Sequence, residues 1–138
     1  QVTNILYSVP QISVKLETLP EDHKKMLKYY LSFWRENRDV LMEGKILAAN
    51  PESVYSLVCS EKDGKAIFTS YTDPMIDCGA YSEVIAVNAS RHSSLIFSGA
   101  VGKTFRTLDC MGNTLAKGRI SENLIEIDVP LCGMVEIK

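Results

Sequence analysis

The sequence predicts a mainly β protein, an antiparallel β-sandwich preceded by one long α-helix. Three observations predict this fold class. Apolar residues recur at helical spacing between Glu21 and Met42, and at alternating positions from Lys45 onward. Turn signals separate the alternating segments at intervals of about 8–12 residues, which is typical of sandwiches. The chain therefore divides near Gly44, a natural helix stop, into residues 1–43 and 44–138.

Size and charge exclude several classes of protein. The 138 residues are too few for a complete (β/α)8 barrel, which needs about 250. Fifteen basic and 17 acidic residues give a net charge of −2, whereas proteins that grip phosphates usually carry a basic excess. No window is long and apolar enough to span a bilayer. We therefore expect neither a nucleic-acid nor a membrane partner. The first residue is Gln1, which we expect of a chain trimmed from a longer protein.

The N-terminal part contains an extended stretch followed by a helix start. Two short alternating runs lie on either side of Pro10, which limits pairing between them. Thr18 and Glu21 have the spacing of a capping box, and Pro20 is tolerated in a first helical turn. The helix is therefore predicted to begin here and to continue to about Met42.

This helix is apolar over about 200° of its circumference, about twice the stripe of an ordinary surface helix. The apolar arc carries Met26, Leu27, Tyr29, Tyr30, Leu31, Phe33, Trp34, Val40 and Leu41. The β segment can cover one side of the arc. The other side needs a partner outside the chain, a second copy of the chain, or the N-terminal runs folded back on it.

The remainder of the chain reads as short strands. Nine are predicted, at residues 45–48, 54–60, 65–71, 82–89, 94–98, 104–109, 114–117, 120–127 and 134–138. Asp63-Gly64 is the strongest hairpin signal. Residues 84–87 and 94–97 lack alternation and are expected to form central strands that are covered on both faces.

No combination of histidines and cysteines predicts a catalytic or metal site. His23 lies in the first helical turn and His92 in a polar turn, and each is expected to be solvated or capping. No nucleophile signature accompanies them. The cysteines lack the close spacing of a zinc site, and we expect free, partly buried thiols, with one or two disulfides as the alternative. They are Cys59, Cys78, Cys110 and Cys132.

Carboxylates are more numerous but are equally unspecific. Asp73, Asp77 and Glu83 lie in or beside one loop. Clustered oxygens could bind Ca²⁺, but the spacing matches no calcium-binding loop. Four other carboxylates alternate with apolar residues, as on the solvated face of a sheet: Glu122, Glu126, Asp128 and Glu136. No pair is specified for glycosidic chemistry.

Aromatic residues could form a platform on which a sugar stacks. The candidates are Trp34, Tyr55, Tyr71 and Tyr81. Trp34 lies in the apolar arc, so packing in a core is the stronger interpretation for it. Tyrosines on strands are more often half-buried sheet residues than ligand contacts. No residue is assigned as catalytic, cofactor-binding or metal-binding, and no cofactor is expected.

Several segments resemble bacterial α-galactosidase-like glycoside hydrolases, family 36 and its relatives. Residues 9–14 (VPQISV), 19–23 (LPEDH) and 33–41 (FWRENRDVL) resemble the end of the catalytic barrel of these enzymes. Residues 108–113 (LDCMGN) and 127–135 (IDVPLCGMV) resemble their C-terminal β domain, with its D-x-x-G-N hairpin and V-P-x-x-G strand entry. The resemblance covers most of the chain and is strongest near Trp34.

The resemblance implies a non-catalytic C-terminal domain of a retaining glycosidase, a hydrolase of carbohydrate metabolism. Residues 1–43 would be the remnant of the barrel's end, and residues 44–138 the appended sandwich. The family's two catalytic aspartates lie on earlier barrel strands, and no residue here matches them. The implied partners are the upstream barrel of the same chain, a galactoside substrate bound in that barrel and a second copy in a homo-oligomer. The implied compartment is bacterial, either cytoplasm or periplasm.

Two alternatives remain open. A free-standing carbohydrate-binding sandwich would expose aromatic side chains on one sheet face. A structural or assembly domain would dimerise through its helix. An intrinsic enzyme has the least support, because no acid–base or nucleophile constellation is predicted.

Overall fold

The computed structural model describes residues 2–49 and 51–138. Its fold class is mainly β, which confirms the prediction. A seven-stranded and a three-stranded sheet share one hydrophobic core. The long helix packs on the opposite face of the larger sheet.

The helical part comprises α1 (Glu21–Glu36) and α2 (Arg38–Glu43), after short 3-10 turns at Val2–Ile5 and Leu16–Thr18. The single helix predicted to Met42 is interrupted at Asn37, whose N–H and side-chain Nδ2 both donate to the Phe33 carbonyl, at 3.0 and 2.8 Å. None of these helices, among the residues described, is long and apolar enough to cross a membrane.

The predicted capping box is wrong. Pro20 occupies the N-cap position of α1 and cannot supply a side-chain oxygen. The Thr18 hydroxyl instead donates to the Lys15 carbonyl at 2.8 Å, which closes the preceding 3-10 turn. The acidic Glu21 and Asp22 remain in the first turn, where the helix dipole favours negative charge.

The described residues form ten strands. They are β1 (Lys45–Ala49), β2 (Leu57–Lys62), β3 (Lys65–Ser70), β4 (Met75–Asp77), β5 (Glu83–Asn88), β6 (Ser94–Ser98), β7 (Thr104–Leu108), β8 (Thr114–Arg119), β9 (Leu124–Asp128) and β10 (Met134–Ile137). A 3-10 turn, Pro51–Ser53, lies between β1 and β2.

The large sheet has the order β1-β2-β3-β5-β10-β7-β8 and the small sheet β4-β6-β9. Most pairings are antiparallel, as predicted, but β3–β5 and β4–β6 are parallel. The reason is topological. The chain leaves β3 for β4 in the other sheet and returns to β5, so each parallel pair is joined by a crossover through the opposite sheet.

Three strand predictions need correction. The strand predicted from Val54 begins only at Leu57, because Val54 and Tyr55 both have φ of 56°. The strand predicted from Ile120 begins at Leu124. Strand β4, which contains Asp77, lies within a stretch predicted to be a loop.

Of three further strand predictions, two are confirmed and one is wrong in part. The hairpin at Asp63-Gly64 is confirmed, with φ of 51° and 80° at the two turn residues. Strand β5 is buried on both faces, as predicted. Strand β6 alternates between buried and partly exposed residues, so that prediction is wrong for one face. The small sheet is covered on the face that packs against the large sheet. The large sheet is covered on both faces, by the small sheet on one and by α1 and α2 on the other.

The N-terminal arm, residues 2–19, folds back on the helices. Leu6 is buried in the cluster that joins the helices to the large sheet, and Val2 and Tyr7 pack against it. The Tyr7 hydroxyl lies 3.0 Å from the Val58 carbonyl and 3.1 Å from the Ile67 carbonyl, both acceptors on the sheet. The described residues of the arm form short turns and irregular structure. Among the three covers considered for the apolar arc, the structure shows this one.

Candidate functional site

The histidines and acidic residues singled out in the sequence lie on separate elements. His23 is exposed in the first turn of α1, and His92 is exposed in the β5–β6 loop. The His92 backbone has a structural role, since its carbonyl accepts from Asn88 Nδ2 at 2.8 Å and its N–H donates to Ser90 Oγ at 3.1 Å. Asp77 is exposed and accepts the Gly79 N–H at 2.9 Å, which closes a local turn.

Glu83 is held in ion pairs with Lys65 and Lys138, at 3.1 and 3.3 Å. Partial burial alone would raise the pKa of this carboxyl, but the two lysines outweigh burial and lower it. Across the parts of the chain that the structure describes, no three His, Cys, Asp or Glu side chains gather in a metal-binding group. The arrangement therefore provides no carboxylate cluster around Asp73, Asp77 and Glu83.

The four candidate sugar-stacking rings do not share a face. Tyr81 packs edge-on against Phe68 and donates to Glu61 at 2.5 Å, at one end of the inner core. The Tyr71 hydroxyl donates a hydrogen bond to the Thr3 carbonyl in the arm, at 3.5 Å. The other two rings are Tyr55, half exposed in the turn before β2, and Trp34 on α1.

A polar groove of about 490 Å³ runs between α1 and the charged end of the large sheet. Arg106 and Glu136 pair across β7 and β10 at 2.7 Å, beside the Glu83 ion pairs. Burial raises the pKa of Tyr29, at the edge of the groove, to about 12, and the nearby Glu136 carboxylate adds to the rise. Glu83 and Glu136 are thus paired with cations, whereas Glu36, the third glutamate of the groove, is exposed and makes no ion pair with the described residues.

Helix α1 is fastened to the sheet by two neighbouring tyrosines. The Tyr30 hydroxyl donates to the Cys132 carbonyl at 2.6 Å, and Tyr29 donates to the Met134 sulfur at 3.1 Å. Cys132 has φ of 58° in the tight turn before β10, and burial raises the pKa of Tyr30 above its usual range.

The second turn beneath the helix is built around Asp109. Its carboxylate accepts the N–H groups of Met111 and Asn113 and the Asn113 side chain, at 2.8–2.9 Å. Burial opposes ionisation, but these hydrogen bonds prevail and lower the pKa of Asp109. Gly112 has φ of 86°, and a Cβ there would overlap the Tyr29 ring. Both motifs that carry the β-domain resemblance, at residues 109–113 and 129–133, therefore form turns on which α1 packs.

A buried amide that sequence reasoning missed organises the same end of the sheet. Asn88 donates through Nδ2 to the His92 and Val129 carbonyls, and its Oδ1 accepts from the N–H and hydroxyl of Ser90. All the polar capacity of this side chain is used, so it ties three segments together without supplying chemistry. The sequence offers only a weak signal for it, a polar residue at the end of an apolar strand.

The face of α1 against which the arm lies, on the flank of its sheet-facing residues, is the least completely packed. A narrow apolar cavity there is lined by arm residues and by Leu27, Leu31 and Trp34. The Trp34 indole Nε1 is buried and finds no acceptor within residues 2–49 and 51–138. A buried donor left unpaired costs about 1–3 kcal/mol. A second apolar groove continues along Ile12, Leu16 and the same leucines.

We define the arm–helix surface as this face of α1 together with the arm that lies on it. The exposed apolar side chains of the arm are Ile5, Val9, Ile12, Val14 and Leu16. Their chemistry suits docking against another apolar surface. No protein-family model, curated protein or solved structure matches the chain.

Proposed function

We propose that this chain is the non-catalytic C-terminal domain of a retaining α-galactosidase-like glycoside hydrolase, where it stabilises the catalytic barrel. The proposal starts from the resemblance of residues 33–41 to the end of such barrels. The observation that carries it is the arm–helix surface, an apolar helix face covered only by an arm that itself exposes apolar side chains.

The two sides of α1 differ in how well they are packed. Toward the sheet, Tyr30 and Phe33 are buried, and polar groups of the tyrosines are hydrogen-bonded. On the flank where the arm lies, Trp34 has an unpaired indole N–H, and the arm residues Val9 and Val14 remain 59% and 54% exposed. A helix at the end of a barrel with a sandwich appended to it would be covered on both sides. In this proposal the barrel covers the arm–helix surface and supplies an acceptor for Trp34.

The chemistry of the parent enzyme would lie outside this chain. A retaining glycosidase needs two carboxyl groups about 5–5.5 Å apart, one as nucleophile and one as acid and then base. The carboxylates discussed above are exposed, fixed in turns or paired with lysine or arginine. The galactoside would be bound in the barrel, and the sandwich would act by covering apolar barrel surface.

The oligomer contact that this domain would contribute is the free edge of β1. All five residues of β1 are exposed, and four of them are apolar. A second copy pairing antiparallel about Leu47 would place Lys45 opposite Ala49 and Ile46 opposite Ala48, so that no like charges meet. The other sheet edges are protected: β8 carries Lys117 and Arg119 and adjoins a register shift, β9 carries Glu126 and Asp128, and β4 has only three residues.

The experiment is a comparison of hydrolysis of 4-nitrophenyl α-galactoside by this chain and by the same chain joined to the polypeptide encoded upstream of it. We expect turnover with retention of anomeric configuration only for the longer protein. Turnover by the 138-residue chain alone would overturn the proposal. So would galactan binding by the chain that is lost in Tyr55→Ala, because this result would support the carbohydrate-binding alternative.

A further inference from the structure

Two cysteines, Cys110 and Cys132, lie in neighbouring turns at one end of the large sheet. The β7–β10 ladder pairs Phe105 with Ile137 and ends with Leu108 opposite Met134. Antiparallel register advances one residue on one strand for each residue back on the other. Each strand enters a tight turn at this end, and Cys110 and Cys132 each lie two residues beyond the last pair of the ladder.

Both cysteines lie in turns on which α1 packs. Leu108 and Met134 belong to the cluster beneath the helices, and Cys110 packs against the same cluster. Cys132 lies in the tight turn before β10, and its carbonyl accepts the Tyr30 hydroxyl at 2.6 Å.

Electrostatics agrees with this proximity. Burial is the main cause that raises the pKa of Cys110, and the neighbouring Asp109 and Cys132 charges raise it further. The pKa of Tyr30 is raised by burial and then by both thiols. Both thiols and the Tyr30 hydroxyl therefore belong to one partly buried environment beneath α1.

The remaining cysteines are placed differently. Cys59 and Cys78 are 3% and 0% exposed in the inner core between the sheets. Cys59 lies opposite Leu47 and Phe68 in its ladders, not opposite another cysteine. Burial raises the pKa of these thiols to about 12 and about 11. Cys110 and Cys132 are both partly exposed and free.

We propose that Cys110 and Cys132 form a disulfide in the folded protein by exchange with a low-molecular-weight disulfide such as oxidised glutathione. The thiolate of one cysteine attacks the glutathione disulfide and releases one glutathione thiolate. The second cysteine loses its proton and attacks the mixed disulfide, which releases the other. Two protein thiols are thereby oxidised, one glutathione disulfide is reduced, and the two protons go to the glutathione thiolates.

The bond would connect the β7–β8 turn to the β9–β10 turn directly beneath Tyr29 and Tyr30. A disulfide needs Cβ atoms about 3.5–4.5 Å apart. Both cysteines lie in turns beyond the ladder, where a small closing movement leaves the strands in place. The bond would thus link the two turns on which α1 packs.

The test is treatment of the native protein with oxidised glutathione at pH 8.5, followed by intact-mass measurement and peptide mapping. We expect a loss of two hydrogens and a peptide that contains the Cys110–Cys132 link, while Cys59 and Cys78 remain thiols. The reaction is expected to speed up with rising pH as the thiolates form. Cys110→Ser and Cys132→Ser should each retain one bound glutathione.

Several outcomes would overturn the proposal: two glutathiones held separately on Cys110 and Cys132, no reaction at pH 8.5, or a link that forms only in denaturant. A second readout uses urea unfolding. The oxidised wild type should unfold at higher urea than the reduced protein, because the link constrains the unfolded chain. The Cys132→Ser variant should unfold at the same urea concentration before and after treatment, and a parallel shift in this variant would contradict the proposed link.

Discussion

At the scale of single residues, the attachment of α1 depends on a few polar groups aimed at turns. The Tyr30 hydroxyl reaches the carbonyl of Cys132, a residue with φ of 58°. Asp109 closes the other turn with three hydrogen bonds. Each of these hydrogen bonds holds a turn in one conformation. Substitution of Tyr30 or Asp109 should therefore lower stability by more than the few atoms removed would suggest.

We expect Tyr30→Phe to lower the free energy of unfolding by about 1–2 kcal/mol, because the partly buried Cys132 carbonyl loses its donor while the ring stays in place. Urea unfolding followed by Trp34 fluorescence measures the change. The matched control is Tyr55→Phe, whose ring is 49% exposed and should leave stability within about 0.5 kcal/mol. Equal effects of the two substitutions would contradict this role of Tyr30.

Asp109 should make stability depend on acid pH. Its pKa is lower in the folded protein than in the unfolded chain, where an aspartate titrates at about 3.9. The stabilisation is therefore present above about pH 4 and is lost as the pH falls through the folded pKa. Asp109→Asn should cost about 1–2 kcal/mol at pH 7, and its difference from the wild type should shrink toward pH 2.5. With Asp128→Asn, an exposed control, the wild-type pH dependence should remain.

At the scale of elements, the arm and β1 are the two parts that expose the most apolar surface for their length. Within the arm, Leu6 is 2% exposed, whereas Leu16 near its other end is 54% exposed. One end is therefore part of the core, and the other end presents apolar surface. Strand β1 has exposed residues along its whole length, although it belongs to the large sheet.

Leu6→Ala should destabilise the chain by about 2–4 kcal/mol, since it leaves a cavity between the arm and the helices. Leu16→Ala makes the same chemical change at an exposed position and should cost about 0.5 kcal/mol or less. Thermal unfolding of the two variants beside the wild type provides the comparison. If both variants unfold as the wild type does, the arm does not dock on the helices in solution.

Sedimentation velocity at two protein concentrations should show concentration-dependent self-association through the β1 edge. Leu47→Lys would place two lysines face to face at the centre of the proposed pair, and we expect it to weaken association by at least about tenfold. Leu115→Lys on the β8 edge is the control, because Leu115 is 55% exposed beside strands that already carry basic residues. If Leu115→Lys alone weakened association, the contact would lie at the β8 edge, which would contradict the proposed β1 contact.

At the scale of the whole molecule, periodicity predicted the fold class because each element follows its local pattern. The change from helical to alternating spacing at Gly44 marks the boundary between α2 and β1. Asp63-Gly64 forms its hairpin because both residues accept positive φ. Strand β4 was not predicted. It has three residues and a single buried side chain, Ile76, so it is too short to show an alternating pattern.

Other features depended on contacts that local patterns do not contain. Thr18 has the right spacing for a cap, but its hydroxyl bonds a nearer carbonyl. Val54 is β-branched and reads as a strand residue, yet it adopts φ of 56° in a turn. The network around Asn88 joins residues up to 41 positions apart. No catalytic residue was assigned because the spacing of the histidines, cysteines and carboxylates matched no catalytic motif. The arm–helix surface could be defined only from the positions of Leu6 and Trp34 in the structure.

The central claim is that this chain is the C-terminal domain of a glycosidase whose barrel lies upstream. The most direct measurement is to sequence the coding DNA upstream of the Gln1 codon. The account predicts an open frame of about 250 codons or more, encoding alternating strands and helices with two strands ending in aspartates. A start codon or a secretion signal immediately before Gln1 would contradict it, and the arm–helix surface would then require an intermolecular partner.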